Sequence, residues 1–267
     1  MQATEDAGYM EAVPMPTVQH LLNGSIETLR QAIHDASAEA EPTRWVVSHL
    51  ILGSALRLRA TRAPEGQRAR MYVEALGAFD DALTICAGKR QECASLVNKA
   101  GANHFGTQQK VSSGPDGVQL VVDAVSVGTG EGTELLERAV RVFRDTCAKS
   151  SRRTSFVTWF VGMSNLGCAL TLLGKLTPGV GGITILEEAV DVMHEALRVS
   201  SLEKLATERA NTQVNLADAL QALAERGMPA ESLRYLEDAA HWQAAALCHF
   251  APPEYRWLLQ LDRGTIS

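Results

Sequence analysis

Leu166-Gly167-Cys168-Ala169-Leu170 is the stretch from which the fold is read. A small residue between leucines recurs at Leu52-Gly53-Ser54-Ala55-Leu56 and at Leu216-Ala217-Asp218-Ala219-Leu220, with a looser copy around Gly101. A second pattern follows each of these: an alanine, a large residue four positions later, and a small one three beyond that. It runs Ala75, Phe79, Ala82; Ala139, Phe143, Thr146; Ala189, Met193, Ala196; and Ala239, Gln243, Ala246. Such spacings set the residues on one helical face. Gly53 to Ala75, Gly167 to Ala189 and Ala217 to Ala239 are each 22 residues apart. Gly101 to Ala139 is 38, which reads as an insertion of 16 residues, placed at about 108–132. A glycine or alanine on the first helix lets the second approach closely, and the large residue fills the gap at the crossing. A single pair cannot bury its own face, so neighbouring pairs must stack.

The bulk numbers agree with close-packed helices. The chain has 267 residues, 46% hydrophobic but only 5% aromatic, with a formal net charge of −6. That balance counts against a nucleic-acid backbone as partner. Five cysteines, none in a C-x-x-C pair, suit a reducing cytoplasm in which free cysteine packs as a small hydrophobe. Thr154 to Gly174 carries no charge and is long enough to span a bilayer. Its serines, threonines and Asn165, and its place in the repeat, make it a buried core helix, so no membrane is expected.

Helices are expected at about 43–62, 69–87, 91–107, 133–149, 155–175, 182–199, 204–226 and 230–249, preceded by a lone helix from Ser25 and a loose segment over 1–20. Residues 21–267 then form a single domain. Within the insertion, Gly117 to Thr133 joins an apolar run to glycines at 128, 130 and 132. That order imitates a phosphate-binding strand–loop–helix, but the loop holds no lysine and two glutamates would repel phosphate. A surface excursion with a short helix at 117–126 is expected instead, and shortening of 111–130 should be tolerated.

Asn165-Leu166-Gly167, with Ala189, Met193 and Ala196, resembles the tetratricopeptide repeat family, in a long-helix variety with units of about 50 residues rather than about 34. Trp45 and Trp159 each stand eight residues before a repeat glycine, as in that variety. The resemblance implies an all-α fold, a right-handed α-solenoid of stacked antiparallel helix pairs. It also implies that the first helix of each pair lines a concave surface. The inner positions are then Leu50, Ser54 and Arg57; Asn98, Ala102 and Phe105; Ser164, Cys168 and Thr171; and Val214, Asp218 and Gln221.

Candidates for catalysis are weak. No histidine stands in an H-x-x-x-H pair, so a metal site lacks local support. His241 and Cys248 are two helical turns apart, about 10 Å, too far for a nucleophile and its base. The acidic pairs Asp80-Asp81, Glu187-Glu188 and Glu237-Asp238 read as exposed helix faces. The longest basic cluster noted is Lys149, Arg152 and Arg153, taken as a solvated helix end. No enzyme activity, cofactor or metal is therefore expected. The expected function is a cytoplasmic scaffold that binds a protein or peptide through Arg57, Asn98, Phe105, Thr171, Asp218 and Gln221. Arg57 would pair a carboxylate, Asn98 and Gln221 would bond to peptide backbone, and Phe105 would anchor an apolar group. The alternatives are a regulatory or sensor subunit that works with a separate effector such as a protease, and a small-molecule binder.

Overall fold

A computed structural model describes residues 15–35, 37–86, 117–127, 129–150, 155–198, 205–227, 229–251, and 253, 256 and 259. The described residues are all-helical. They comprise α1 (Met15–Asp35), α2 (Pro42–Ala60), α3 (Glu65–Cys86), α4 (Gly117–Ser126), α5 (Thr129–Lys149), α6 (Phe156–Leu176), α7 (Gly179–Leu197), α8 (Ala206–Arg226) and α9 (Pro229–Phe250). The expected helix over 91–107 lies outside the described residues.

The alanines of the second pattern sit where the helices cross. Ala75, Ala139, Ala189 and Ala239 are all completely buried. The glycines opposite them explain why. A Cβ built on Gly53 would lie 2.4 Å from the Phe79 ring, and one on Gly167 would lie 2.3 Å from Met193. One built on Gly117 would lie 2.7 Å from the Phe143 ring. This last contact corrects the assignment of Gly101. Gly117 to Ala139 is again 22 residues, and Gly117-Val118-Gln119-Leu120 carries the leucine three after the small residue, as in the other copies. Those leucines, Leu56, Leu120, Leu170 and Leu220, are all buried.

Residues 117–126, expected to lie within the insertion, therefore form the first helix of the second pair, packed on α5; the part of the expected insertion before Gly117 lies outside the described residues. Leu120, Val121 and Ala124 are buried in the main hydrophobic cluster with Ala139, Val140 and Phe143. Shortening through 111–130 would remove part of that core, contrary to the expectation of a tolerated excursion. No strand precedes the glycines, because 117–126 is helical and Gly130 and Gly132 lie within α5. Glycine in a first turn also misplaced two helix starts: α5 begins at Thr129 and α7 at Gly179, where φ is +67°. Ser25 lies inside α1 rather than capping it. Pro229 opens α9, and Gly227 ends α8, its amide donating to the Leu223 carbonyl.

The pairs α4–α5, α6–α7 and α8–α9 stack in chain order, with α6 also lying beside α8. The first pair departs from that order. Among the described residues α3 packs on α9, the last helix, and α1 flanks α2 on the far side. Val46, Leu50, Phe79 and Leu83 of the first pair share one cluster with Val214, Ala244 and Leu247 of the last. The spatial order is thus second, third, fourth, first, unlike a solenoid stacked in sequence. Residues 87–116 supply ample length for the crossing, since extended chain reaches about 3.3–3.6 Å per residue.

Arginines lock the helix ends. Arg226 of α8 donates to the carbonyls of Gly174, Lys175 and Thr177 at the C-terminus of α6. Arg68 does the same for Ala60 and Thr61 at the end of α2. These carbonyls have no partner within their own helix.

Candidate functional site

Leu50, Ser54, Arg57, Ser164, Cys168, Thr171 and Val214 are all buried. They line no open groove; they form contacts between helices. The Ser164 and Thr212 hydroxyls bond across α6 and α8 at 2.7 Å, and the Thr171 hydroxyl donates to the Gly167 carbonyl. Thr171 therefore presents nothing to a partner. Arg57 is 4% exposed, and its Nη2 donates to the Leu259 carbonyl at 3.2 Å in a buried position. It ties the C-terminal segment to α2 and is closed to a ligand carboxylate. Asn98 and Phe105 lie outside the described residues.

This changes what substitution of Arg57 should do. Arg57→Ala is expected to lower unfolding stability by about 1.5–3 kcal/mol, the range for a hydrogen bond to a charged group. Urea denaturation measures it, and unchanged stability would mean that the guanidinium is not held.

Asp218 and Gln221 do remain partly open. They sit one turn apart on α8, and Lys175 of α6 reaches Asp218 at 2.5 Å. The residues behind them form a polar seam that runs to α3. Gln243 of α9 occupies the position that Phe79, Phe143 and Met193 fill in the other pairs, and it is buried. Its Nε2 donates to Oδ1 of Asp80. Oε1 of Gln243 and Oδ2 of Asp218 are buried and have no hydrogen-bond partner among the described residues. Burial pushes the Asp80 carboxyl up to about 6; the Gln243 hydrogen bond opposes that rise, Asp218 and Asp81 add to it, and Lys175 opposes it. The exposed-face reading thus holds for Asp81, Glu187, Glu237 and Asp238, whereas Asp80 turns inward. The signal that could have found this seam is Gln243 itself, the one polar member of the large-residue positions.

A second feature escaped the sequence reading. Arg57, Arg59, Arg62, Arg68 and Arg70 share fourteen positions that hold one acid, Glu65, a longer basic group than Lys149, Arg152 and Arg153. Arg59 and Arg70 line a cavity of about 390 Å³ between α1, α2 and α3.

Cys168 is fully buried, and burial pushes the Cys147 thiol up to about 11, so it is held neutral. His241 is exposed, and His249 instead meets the Thr207 hydroxyl at 3.0 Å. Among the described residues no group of three or more His, Cys, Asp or Glu is placed to hold a metal ion. Helix α6 is long and apolar enough to cross a membrane by length and composition, and 72% of its most apolar window is buried within the protein.

Among the described residues the fold is all-helical, with four helix pairs on one register and α1 beside the first of them. No protein-family model, curated protein or solved structure matches the chain.

Proposed function

We propose that the chain is a non-enzymatic scaffold that binds a protein or peptide on the polar strip formed by Lys175, Asp218 and Gln221. The observation that carries this is the Lys175–Asp218 pair, which spans two neighbouring first-type helices at 2.5 Å, with both side chains about a third exposed. Such a strip offers charge of both signs and an amide on rigid helices, a combination suited to extended backbone or a partner helix. The repeated glycine-to-large-residue register supports a tetratricopeptide-like reading, here with the first pair set against the last. A cytoplasmic setting fits a chain whose five cysteines include no C-x-x-C pair.

The test is a selection of peptide binders from a displayed library, followed by affinity measurements on variants. Asp218→Lys with Gln221→Lys is expected to weaken selected binders at least about tenfold, or 1.4 kcal/mol, with the helical circular dichroism unchanged. Binding that survives this pair but fails with Glu187→Lys and Glu237→Lys would move the interface to the second-type helices and end this reading.

A further inference from the structure

The cavity between α1, α2 and α3 has a composition that selects a ligand. Three arginines and two glutamates line it: Arg30 and Glu27 from α1, Arg59 from α2, and Arg70 and Glu74 from α3. Arg30 consumes both acids, bonding to Glu74 through Nε at 2.8 Å and through Nη2, and to Glu27 through Nη1. Arg59 and Arg70 then have no carboxylate within ion-pair distance among the described residues. The Nε of Arg59 is buried and has no hydrogen-bond partner among them. The lining carries a net charge of +1, from three cations less two anions. Buried Leu56 and Met71 give the same cavity an apolar wall. Its volume falls within the range of small-ligand sites, about 300–1,000 Å³.

We propose that this cavity binds a single carboxylate joined to a short aliphatic body, the chemistry carried by an acidic side chain or by the chain end of a peptide. The guanidinium fork matches a planar carboxylate bidentately. A doubly charged phosphate would meet Glu27 and Glu74 with more repulsion and a charge the lining does not balance. Leu56 and Met71 take the aliphatic part. The site lies on helices other than those that carry Lys175, Asp218 and Gln221, so it stands or falls independently of the polar strip.

The test uses three probes on the full chain, followed by backbone amide shifts: N-acetyl-leucine, which offers a chain-end carboxylate; N-acetyl-glutamic acid α-amide, which offers only a side-chain carboxylate; and inorganic phosphate. Saturable binding of one or both organic acids is expected at about 0.1–1 mM, an affinity suited to so small a ligand, with shifts centred on Leu56 and Met71. Whichever acid binds identifies the source of the carboxylate. Arg70→Gln, at an exposed position that leaves the fold intact, should weaken binding at least about tenfold. Arg59→Gln should do the same, and Arg59→Lys should fail to restore it because an ammonium lacks the fork. No saturable binding of either acid, tighter binding of phosphate, or binding indifferent to Arg70→Gln would each overturn the proposal.

Discussion

Gly117→Leu is expected to cost the protein about 3 kcal/mol of unfolding stability. A leucine in place of glycine gains up to about 1 kcal/mol of helix propensity, so the sign depends on packing. Packing wins, because a Cβ alone would already lie 2.7 Å from one Phe143 ring atom and 2.8 Å from another. Both rings of this kind, Phe143 and Phe79, are buried and have little room to turn. Phe143→Ala should be destabilising alone yet should relieve much of the leucine's cost when the two are combined, a coupling expected only of residues in contact. Urea denaturation of the two single variants and the double variant reads the coupling. Simple additivity would place Gly117 away from the crossing and remove the second pair from the common register.

Asp80→Asn is expected to stabilise the protein at pH 7.5 and to change little near pH 4. The sign follows from the direction of the shift. The folded carboxyl titrates near 6, above its ordinary 3.8, so the native state favours its protonated form. The stability it contributes is full below the unfolded value and is lost as pH climbs through the folded one. The two pH units between them correspond to at most about 3 kcal/mol. Water still reaches part of the carboxylate, so a gain on the order of 1–3 kcal/mol is expected for asparagine, which mimics the neutral acid and keeps the Gln243 bond. The difference between variant and parent, measured by urea unfolding from pH 4 to 7.5, isolates Asp80 from other groups. A variant less stable than the parent at pH 7.5 would mean that Asp80 is needed as an anion.

Most of the architecture was legible because helical crossings demand small residues at fixed offsets, and these stand in the sequence at 22-residue intervals. The second pair was misread for a physical reason. Gly117 follows Gly114 and Pro115, which imitate a turn, and precedes valines, which imitate a strand. Burial of Leu120, Val121 and Ala124 overrides that local preference. The order of the pairs was not legible at all, since nothing local tells α3 to lie on α9 rather than on the next pair. Ser54 and Arg57 failed for the same reason, whereas Ser164, Cys168 and Thr171 of α6 are buried within the pairs that do stack in chain order, Ser164 against Thr212 of α8. Ser54 and Arg57 occupy an open surface only in a stack that ends with the first pair, and here that pair is covered by the last. Asp218 and Gln221, on a helix stacked in chain order, kept their partial exposure.

The placement of the first pair on the last is the claim from which the seam and the burial of Arg57 both follow. A nuclear Overhauser measurement from the Gln243 side-chain amide tests it on the unmodified chain. Strong transfer to the β protons of Asp80 is the expected result, because Nε2 donates directly to that carboxylate. A Gln243 amide that sees only protons of α8 and α9, and none of α3, would contradict the account and return the four pairs to a stack in sequence order.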